Sequence, residues 1–151
     1  MVEEQLLVRR IKEGTVIDHI EAGKSLRVLK ALGIDGSEGN IVTIAMNVPS
    51  AKYGKKDIVK VEKRFLSRDE TNKIALISPT ATINIIKGYR VVEKRKVELP
   101  NVLIGVFSCT NPTCITNSGE PITSIIDVVN KEKQILKCRY CQRTLRAEEL
   151  A

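Results

Sequence analysis

Four cysteines late in the chain constrain it more than any other feature. They fall in two pairs, Cys109-x4-Cys114 and Cys138-x2-Cys141, separated by a 23-residue insert, and the chain has no other cysteine. Thiolates two to four residues apart on a turn can converge on one tetrahedral ion, and two such knuckles make a closed four-sulfur site with no open coordination position. Such a site is structural rather than catalytic. Two disulfides would need an oxidising compartment, yet Met1-Val2-Glu3-Glu4-Gln5 has neither the basic nor the apolar segment of a secretory leader. Unrelated cysteines would scatter instead of pairing. The spacing therefore predicts one structural ion per chain. Zinc is the default for soft thiolates without a redox role, while a rubredoxin-like iron centre uses the same ligand set and stays open.

All four cysteines lie after residue 108 of 151, so they staple a module of about 50 residues, too small to rely on its own core. Two domains are expected, 1–99 and 100–151. No apolar run is long enough to span a bilayer, and a cytoplasmic protein without a membrane partner is expected. The net charge of +7 is uneven. Residues 1–99 carry 19 Lys+Arg against 13 Asp+Glu, whereas residues 100–151 carry 6 against 5. A metal ribbon that gripped nucleic acid would concentrate the positive charge on itself. An aromatic content of 3% is also too low for a base-stacking platform, so no nucleic-acid partner is expected.

Residues 1–13 read as a loosely held arm anchored by Leu6, Leu7, Val8 and Ile11. Gly14 opens a β-branched strand, Thr15 to Ile20, with Val16, Asp18 and Ile20 expected on one face and Ile17 and His19 on the other. Ala22, Leu26, Leu29 and Leu32 recur at helical spacing over 22–32, and Gly33 stops that helix. Ile41 to Val48 is nearly all apolar, the pattern of a central strand, and Pro49-Ser50 ends it. A basic turn with Lys52, Lys55 and Lys56 precedes a strand over 57–62, in which Val59 and Val61 face inward. Ser67-Arg68-Asp69-Glu70 has the form of a capping box and starts a helix that Pro79 ends. Ala81 to Lys87 is the next strand, Tyr89 to Val92 continues extended, and Glu93 to Glu98 reads as a charged linker. The order β-α-β-β-α-β is that of a ferredoxin-like fold, with both helices on one face of a four-stranded antiparallel sheet and the other face left for a ligand. The cysteine module is expected to hold short strands over 102–107, 124–129 and 135–137.

No catalytic constellation is visible. His19 is the single histidine, it has no nucleophile at a useful spacing, and there is neither a Walker loop nor a G-x-G-x-x-G turn. What remains is a polar, basic set, Asp18, His19, Lys56, Lys60, Asn84, Tyr89 and Lys94. Lysines bind phosphates as point charges, so a nucleotide site is chemically reasonable; a solvated sheet edge accounts for the same residues.

The chain also resembles a known family along nearly its whole length. Gly14-Thr15-Val16-Ile17-Asp18-His19-Ile20, Asn47-Val48-Pro49-Ser50, Gly54-Lys55-Lys56-Asp57, Phe65-Leu66-Ser67 and Ala81-Thr82-Ile83-Asn84 with Tyr89 and Val91-Val92 are similar to the regulatory chain of aspartate carbamoyltransferase. So are Asn101-Val102-Leu103, Cys109-Thr110-Asn111-Pro112-Thr113-Cys114-Ile115, Glu120-Pro121 and Leu136-Lys137-Cys138-Arg139-Tyr140-Cys141. The resemblance implies an α+β chain: a ferredoxin-like allosteric domain, then a small rubredoxin-like zinc-binding β domain that docks on the catalytic chain. It implies a non-catalytic subunit of pyrimidine biosynthesis that pairs through its N-terminal domain, with three such dimers joining two catalytic trimers in a dodecamer. CTP and ATP would compete for one pocket. By position, Asp18 matches the ribose and base side, and His19, Lys60 and Lys94 match groups that reach the triphosphate or ribose. Asn84, Ile86, Tyr89 and Val91 match the nucleotide wall, backbone groups from Val8 to Ile11 the base edge, and Lys56 a further phosphate contact.

Overall fold

The β-branched run after Gly14 forms β1 (Gly14–Glu21), the middle strand of an antiparallel sheet that also contains β2 (Val42–Ser50), β3 (Gly54–Glu62), β4 (Thr82–Lys87) and β5 (Arg90–Lys96). The five strands run in the order β2-β3-β1-β4-β5. These coordinates are a computed structural model that describes residues 10–150. Gly14 must be glycine: its φ is +139°, and a Cβ there would sit 2.2 Å from the Val61 carbonyl oxygen. Two helices, α1 (Ser25–Ala31) and α2 (Arg68–Ile77), complete a βαββαβ order to which β5 is appended. Ile17, Val59, Val61, Ile83 and Ile85 are buried on one side of the sheet, together with Val28 and Leu29 of α1 and Ile74 and Ile77 of α2. Burying that many branched side chains on one face, at about 1.5–3 kcal/mol each, is what holds the helices to the sheet. No helix among the described residues is long and apolar enough to cross a membrane.

Helix α2 starts where its local chemistry dictates. The Glu70 amide donates to Ser67 Oγ at 3.3 Å and the Ser67 amide donates to Glu70 Oε1 at 3.0 Å, the reciprocal pair of a capping box. Arg64 also engages the Glu70 carboxylate. Helix α1 departs from its expected span. It begins at Ser25 rather than residue 22, because Gly23 (φ +89°) turns the chain first and the amides of Gly23 and Ser25 both donate to Asp57 Oδ2 at 3.0 Å. That anchor sets the helix phase, so Val28 is buried while Leu26 is 59% exposed, the reverse of the face expected for Leu26.

Strict alternation fails in β1. Ile17 pairs with Val59 and Ile20 with Asp57, so Asp18 and His19 together stand opposite Ile58 alone. This β-bulge puts both Ile17 and Ile20 into the core at 0% exposure, where alternation would separate them. His19 takes φ 56°. A second bulge places Met46 and Asn47 of β2 opposite Asp57. β2 itself is an edge strand, not a central one, and it continues through Pro49 and Ser50 to pair with Lys55 and Gly54. An edge tolerates proline because no ladder donor is lost on its open side.

The charged segment from Glu93 is not a linker as far as Lys96; with Arg90, Val91 and Val92 it forms β5, the other edge of the sheet. Tyr89 does not continue a strand either. Gly88 (φ 60°) and Tyr89 (φ 64°) form the two-residue turn between Lys87 and its partner Arg90, with the doubly positive φ of a type I′ hairpin.

Contacts divide the chain between Glu98 and Leu99. Beyond that point β6 (Val102–Ile104), β7 (Ile125–Asn130), β8 (Ile135–Cys138) and β9 (Thr144–Arg146) form a four-stranded antiparallel sheet in sequence order, followed by the short α3 (Ala147–Leu150). β6 ends at Ile104, short of the expected 107, and β9 was not expected. Leu103, Ile126, Leu136, Cys138 and Leu145 are the buried side chains of this small sheet.

Candidate functional site

Register assembles the polar site. On the face that the helices leave open, Lys60 pairs with Val16, Val16 with Asn84, and Asn84 with Lys94, so one row across β3, β1, β4 and β5 carries Lys60, Asn84 and Lys94 side by side. Two residues along, Ile86 pairs with Val91 and supplies an apolar border. Asp18 lies in the neighbouring row on the other side, opposite Thr82, and holds Lys56 Nζ at 2.9 Å. Six of the expected residues, Asp18, Lys60, Asn84, Ile86, Val91 and Lys94, thus occupy successive rows, with Lys56 attached through Asp18. Tyr89 stands apart at the β4–β5 turn, 55% exposed, with its amide donating to the Lys12 carbonyl at 2.9 Å. Ile11 is buried. Val8 lies outside the described residues.

The electrostatics suit an anion. Burial pulls the Lys60 ammonium below the usual lysine range, Arg10 adds to that, and Asp18 opposes it. A partly desolvated cation has less water to shed when a phosphate arrives. His19 is held below the ordinary imidazole value, first by burial and then by Lys56, Lys94 and Lys52, against the opposing pull of Asp18. Its Nδ1 is 3.0 Å from Thr82 Oγ1, and its carbonyl accepts from Thr80 Oγ1 at 2.7 Å. Because of the bulge, the imidazole faces a cavity of about 310 Å³ that Lys94 also lines.

That cavity contains residues that sequence reasoning missed: Lys52, Tyr53, Thr80, Thr82, Arg95 and Lys96. The basic turn and the charge run were visible as such. Their convergence depends on long-range strand pairing, for which no local signal exists. Asp57 was also missed as a structural group. It is fully buried, and its Oδ1 accepts from the Asn47 amide at 2.9 Å.

The four sulfurs form a second centre. All lie within 4.8 Å of one another. Cys109 and Cys141 are 3.7 Å apart, as are Cys114 and Cys138. A tetrahedral ion with metal–sulfur bonds of about 2.3 Å requires sulfur–sulfur separations of about 3.8 Å, so the set fits. Cys138 ends β8 opposite core residue Ile126, and Cys141 lies on the β8–β9 turn. The other knuckle is tied by Asn117 Nδ2, which donates to the carbonyls of Cys109 and Asn111 at 2.8 Å. Burial pushes the Cys109 thiol up to about 12, whereas the Arg143 amide draws Cys141 down to about 7 and the Thr116 hydroxyl lowers Cys114. A divalent ion would hold all four as thiolates.

The described residues thus hold two centres, a row with Lys60, Asn84 and Lys94 across the N-terminal sheet and a cluster of four sulfurs in the small C-terminal unit. Residues 6–98 match the family described as the aspartate carbamoyltransferase regulatory chain, allosteric domain, and residues 101–151 match its metal binding domain. The chain is 60% identical to the aspartate carbamoyltransferase regulatory chain of Nitrosopumilus maritimus over 150 residues, 99% of this chain and 98% of that one. It is 56% identical to that of Pyrococcus horikoshii over 147 residues, 97% of this chain and 96% of the relative. It belongs to the aspartate carbamoyltransferase regulatory chain family and is a non-catalytic, regulatory chain.

Proposed function

We propose that this chain binds CTP and ATP on the open face of its N-terminal sheet and couples their binding to the catalytic chains of aspartate carbamoyltransferase, in pyrimidine biosynthesis in the cytoplasm. The observation that carries this reading is the row Lys60–Val16–Asn84–Lys94, flanked by the Asp18–Lys56 pair and the Ile86–Val91 border. Cations and an amide stand over an apolar strip, as a nucleotide's phosphates and base require. Asp18 takes the ribose and base side, while His19, Lys60, Lys94 and Lys56 face phosphate. Asn84, Ile86, Tyr89 and Val91 form the nucleotide wall.

In this reading the ion is Zn²⁺, one per chain, and it fixes the small domain, 100–151, that docks on the catalytic chain. Ile104, Ile115, Val129 and Tyr140 are exposed apolar groups on that domain and support such a surface. The N-terminal domain, 1–99, pairs with a second copy, and edge strand β2, with Ile44 and Met46 exposed on it and Ile41 exposed just before it, supports this contact. Three such dimers then join two catalytic trimers in a dodecamer. An effector that binds two quaternary states unequally shifts their equilibrium by no more than its differential affinity, typically about 1–3 kcal/mol. The test is calorimetric titration of CTP and ATP into the chain assembled with catalytic trimer, alongside aspartate saturation curves. Binding with a shifted curve is expected; an unchanged curve at saturating CTP and ATP refutes the regulatory reading.

A further inference from the structure

Lys52 and Tyr53 of the turn between β2 and β3 line the cavity described above, and none of the positions matched to nucleotide contacts falls on that turn. Ser50 pairs with Gly54, leaving Ala51, Lys52 and Tyr53 as a three-residue loop. Gly54 (φ +77°) makes the left-handed step that such a loop requires. The Tyr53 ring meets the His19 imidazole edge-on, with centroids 6.0 Å apart. Lys52 Nζ lies 5.4 Å from the centroid of the Tyr53 ring. The loop is thereby packed, through the edge of Tyr53, against a residue that lines the cavity.

The composition of that cavity is one-sided. Lys52, Lys94, Arg95 and Lys96 line it with His19 and Tyr53, and no carboxylate is among its lining residues. Of these cations, Lys94 and Lys96 come from β5, whereas Lys52 comes from the far side of the sheet, on the hairpin of β2 and β3. Its contribution to the His19 environment has the same sign as those of Lys94 and Lys56. Two phosphates could be held by the strand lysines alone. A charge approaching from the opposite wall matters only to an anion long enough to reach across.

We propose that Lys52 is a specificity-determining residue that reads the length of the effector's phosphate chain, its ammonium meeting the terminal phosphate of a triphosphate and contacting neither base, ribose nor first phosphate. This rests on the nucleotide reading above. Tyr53 serves as the positioning residue: its ring meets His19 on one side and lies 5.4 Å from Lys52 Nζ, keeping the ammonium at the cavity.

Calorimetry on the full chain with CTP, CDP, CMP and inorganic tripolyphosphate tests it, comparing wild type with Lys52→Met and Lys52→Arg. For an exposed lysine–phosphate contact, Lys52→Met weakens CTP and tripolyphosphate about fivefold and leaves CMP unchanged, and Lys52→Arg restores wild-type behaviour. Equal weakening of CTP, CDP and CMP, or no change in CTP, overturns the assignment. If wild type binds tripolyphosphate in a Lys52-dependent way but no nucleotide, the nucleotide reading fails and the phosphate grip stands. If it binds neither, both fail.

Discussion

Asp57 and Asn47 meet where two strands fall out of step: the Asn47 amide, released from the ladder at the β2 bulge, donates to Asp57 Oδ1 at 2.9 Å. The other carboxylate oxygen takes the amides of Gly23 and Ser25 at the start of α1. Burial alone would raise the Asp57 carboxyl, but the hydrogen bonds from Asn47, Ser25 and Gly23 outweigh it and hold it below the ordinary value. One side chain therefore satisfies three backbone donors on two elements.

Asp57→Ala leaves those donors unpaired and is expected to cost about 3 kcal/mol, with Asp57→Asn costing less because one acceptor remains. The measurement is amide exchange at Gly23, Ser25 and Asn47 together with urea unfolding. Because the folded carboxyl is depressed, its stabilisation is complete above the unfolded carboxylate value of about 3.9 and is lost as pH falls through the lowered one. The gap between wild type and Asp57→Asn should accordingly close in acid.

The chain has one histidine, so a single imidazole signal reports on the cavity. His19 should titrate below the ordinary imidazole value of about 6.5 in the absence of ligand. Asp18→Asn removes the opposing acid and should lower it further, whereas Lys94→Met should raise it. The sign for stability follows. A lowered folded value penalises protonation in the folded state, so stability is unaffected above the unfolded value and falls as pH drops from there through the folded one. Titration by NMR checks each direction, and a rise on Asp18→Asn would contradict this electrostatic picture.

Gly14→Ala should be among the most disruptive single changes in the N-terminal unit. The new Cβ would lie 2.2 Å from Val61 O and 2.9 Å from Glu62 Cα, both backbone atoms that cannot swing away. Separation of β1 from β3 and a loss of about 3 kcal/mol or more are expected, seen as a lower urea midpoint.

Metal removal should act on one unit only. A chelator is expected to unfold residues 101–150, whose core beyond the cysteines is Leu103, Ile126, Leu136 and Leu145, while amides of β1 and β3 keep their protection. Cys114→Ser should mimic it. Thr116→Val, which deletes the hydroxyl 3.1 Å from Cys114 Sγ, should speed metal release without unfolding the metal-loaded unit. Exchange mass spectrometry and metal content read both effects.

What sequence could reveal was local. The Ser67–Glu70 capping box and the two cysteine pairs are each written within a few residues; the box forms, and the four sulfurs come within 4.8 Å of one another. The row of Lys60, Asn84 and Lys94 follows once the βαββαβ order is assumed, because pairing then fixes which residues share a face. The bulges do not follow. Whether Asp18 and His19 both crowd opposite Ile58 is decided by strand β3 some 40 residues away, and alternation alone gives the wrong face for Ile20. Edge position is equally invisible. Ile41, Ile44 and Met46 have the composition of a buried strand, yet they lie on the sheet's rim, and the charge run after Glu93 has the composition of a linker but pairs with β4.

The bulge in β1 has one more consequence. A strand with a residue too many is a less well-paired strand, and shortening β1 by one at position 18 or 19 would restore an unbroken ladder with β3. Deleting residue 19 would give a tidier sheet but remove the imidazole from the cavity, and deleting residue 18 would abolish the bulge that sets the place of His19. In this domain the imidazole that lines the cavity is therefore maintained by a defect, and selection for stability alone would tend to erase it.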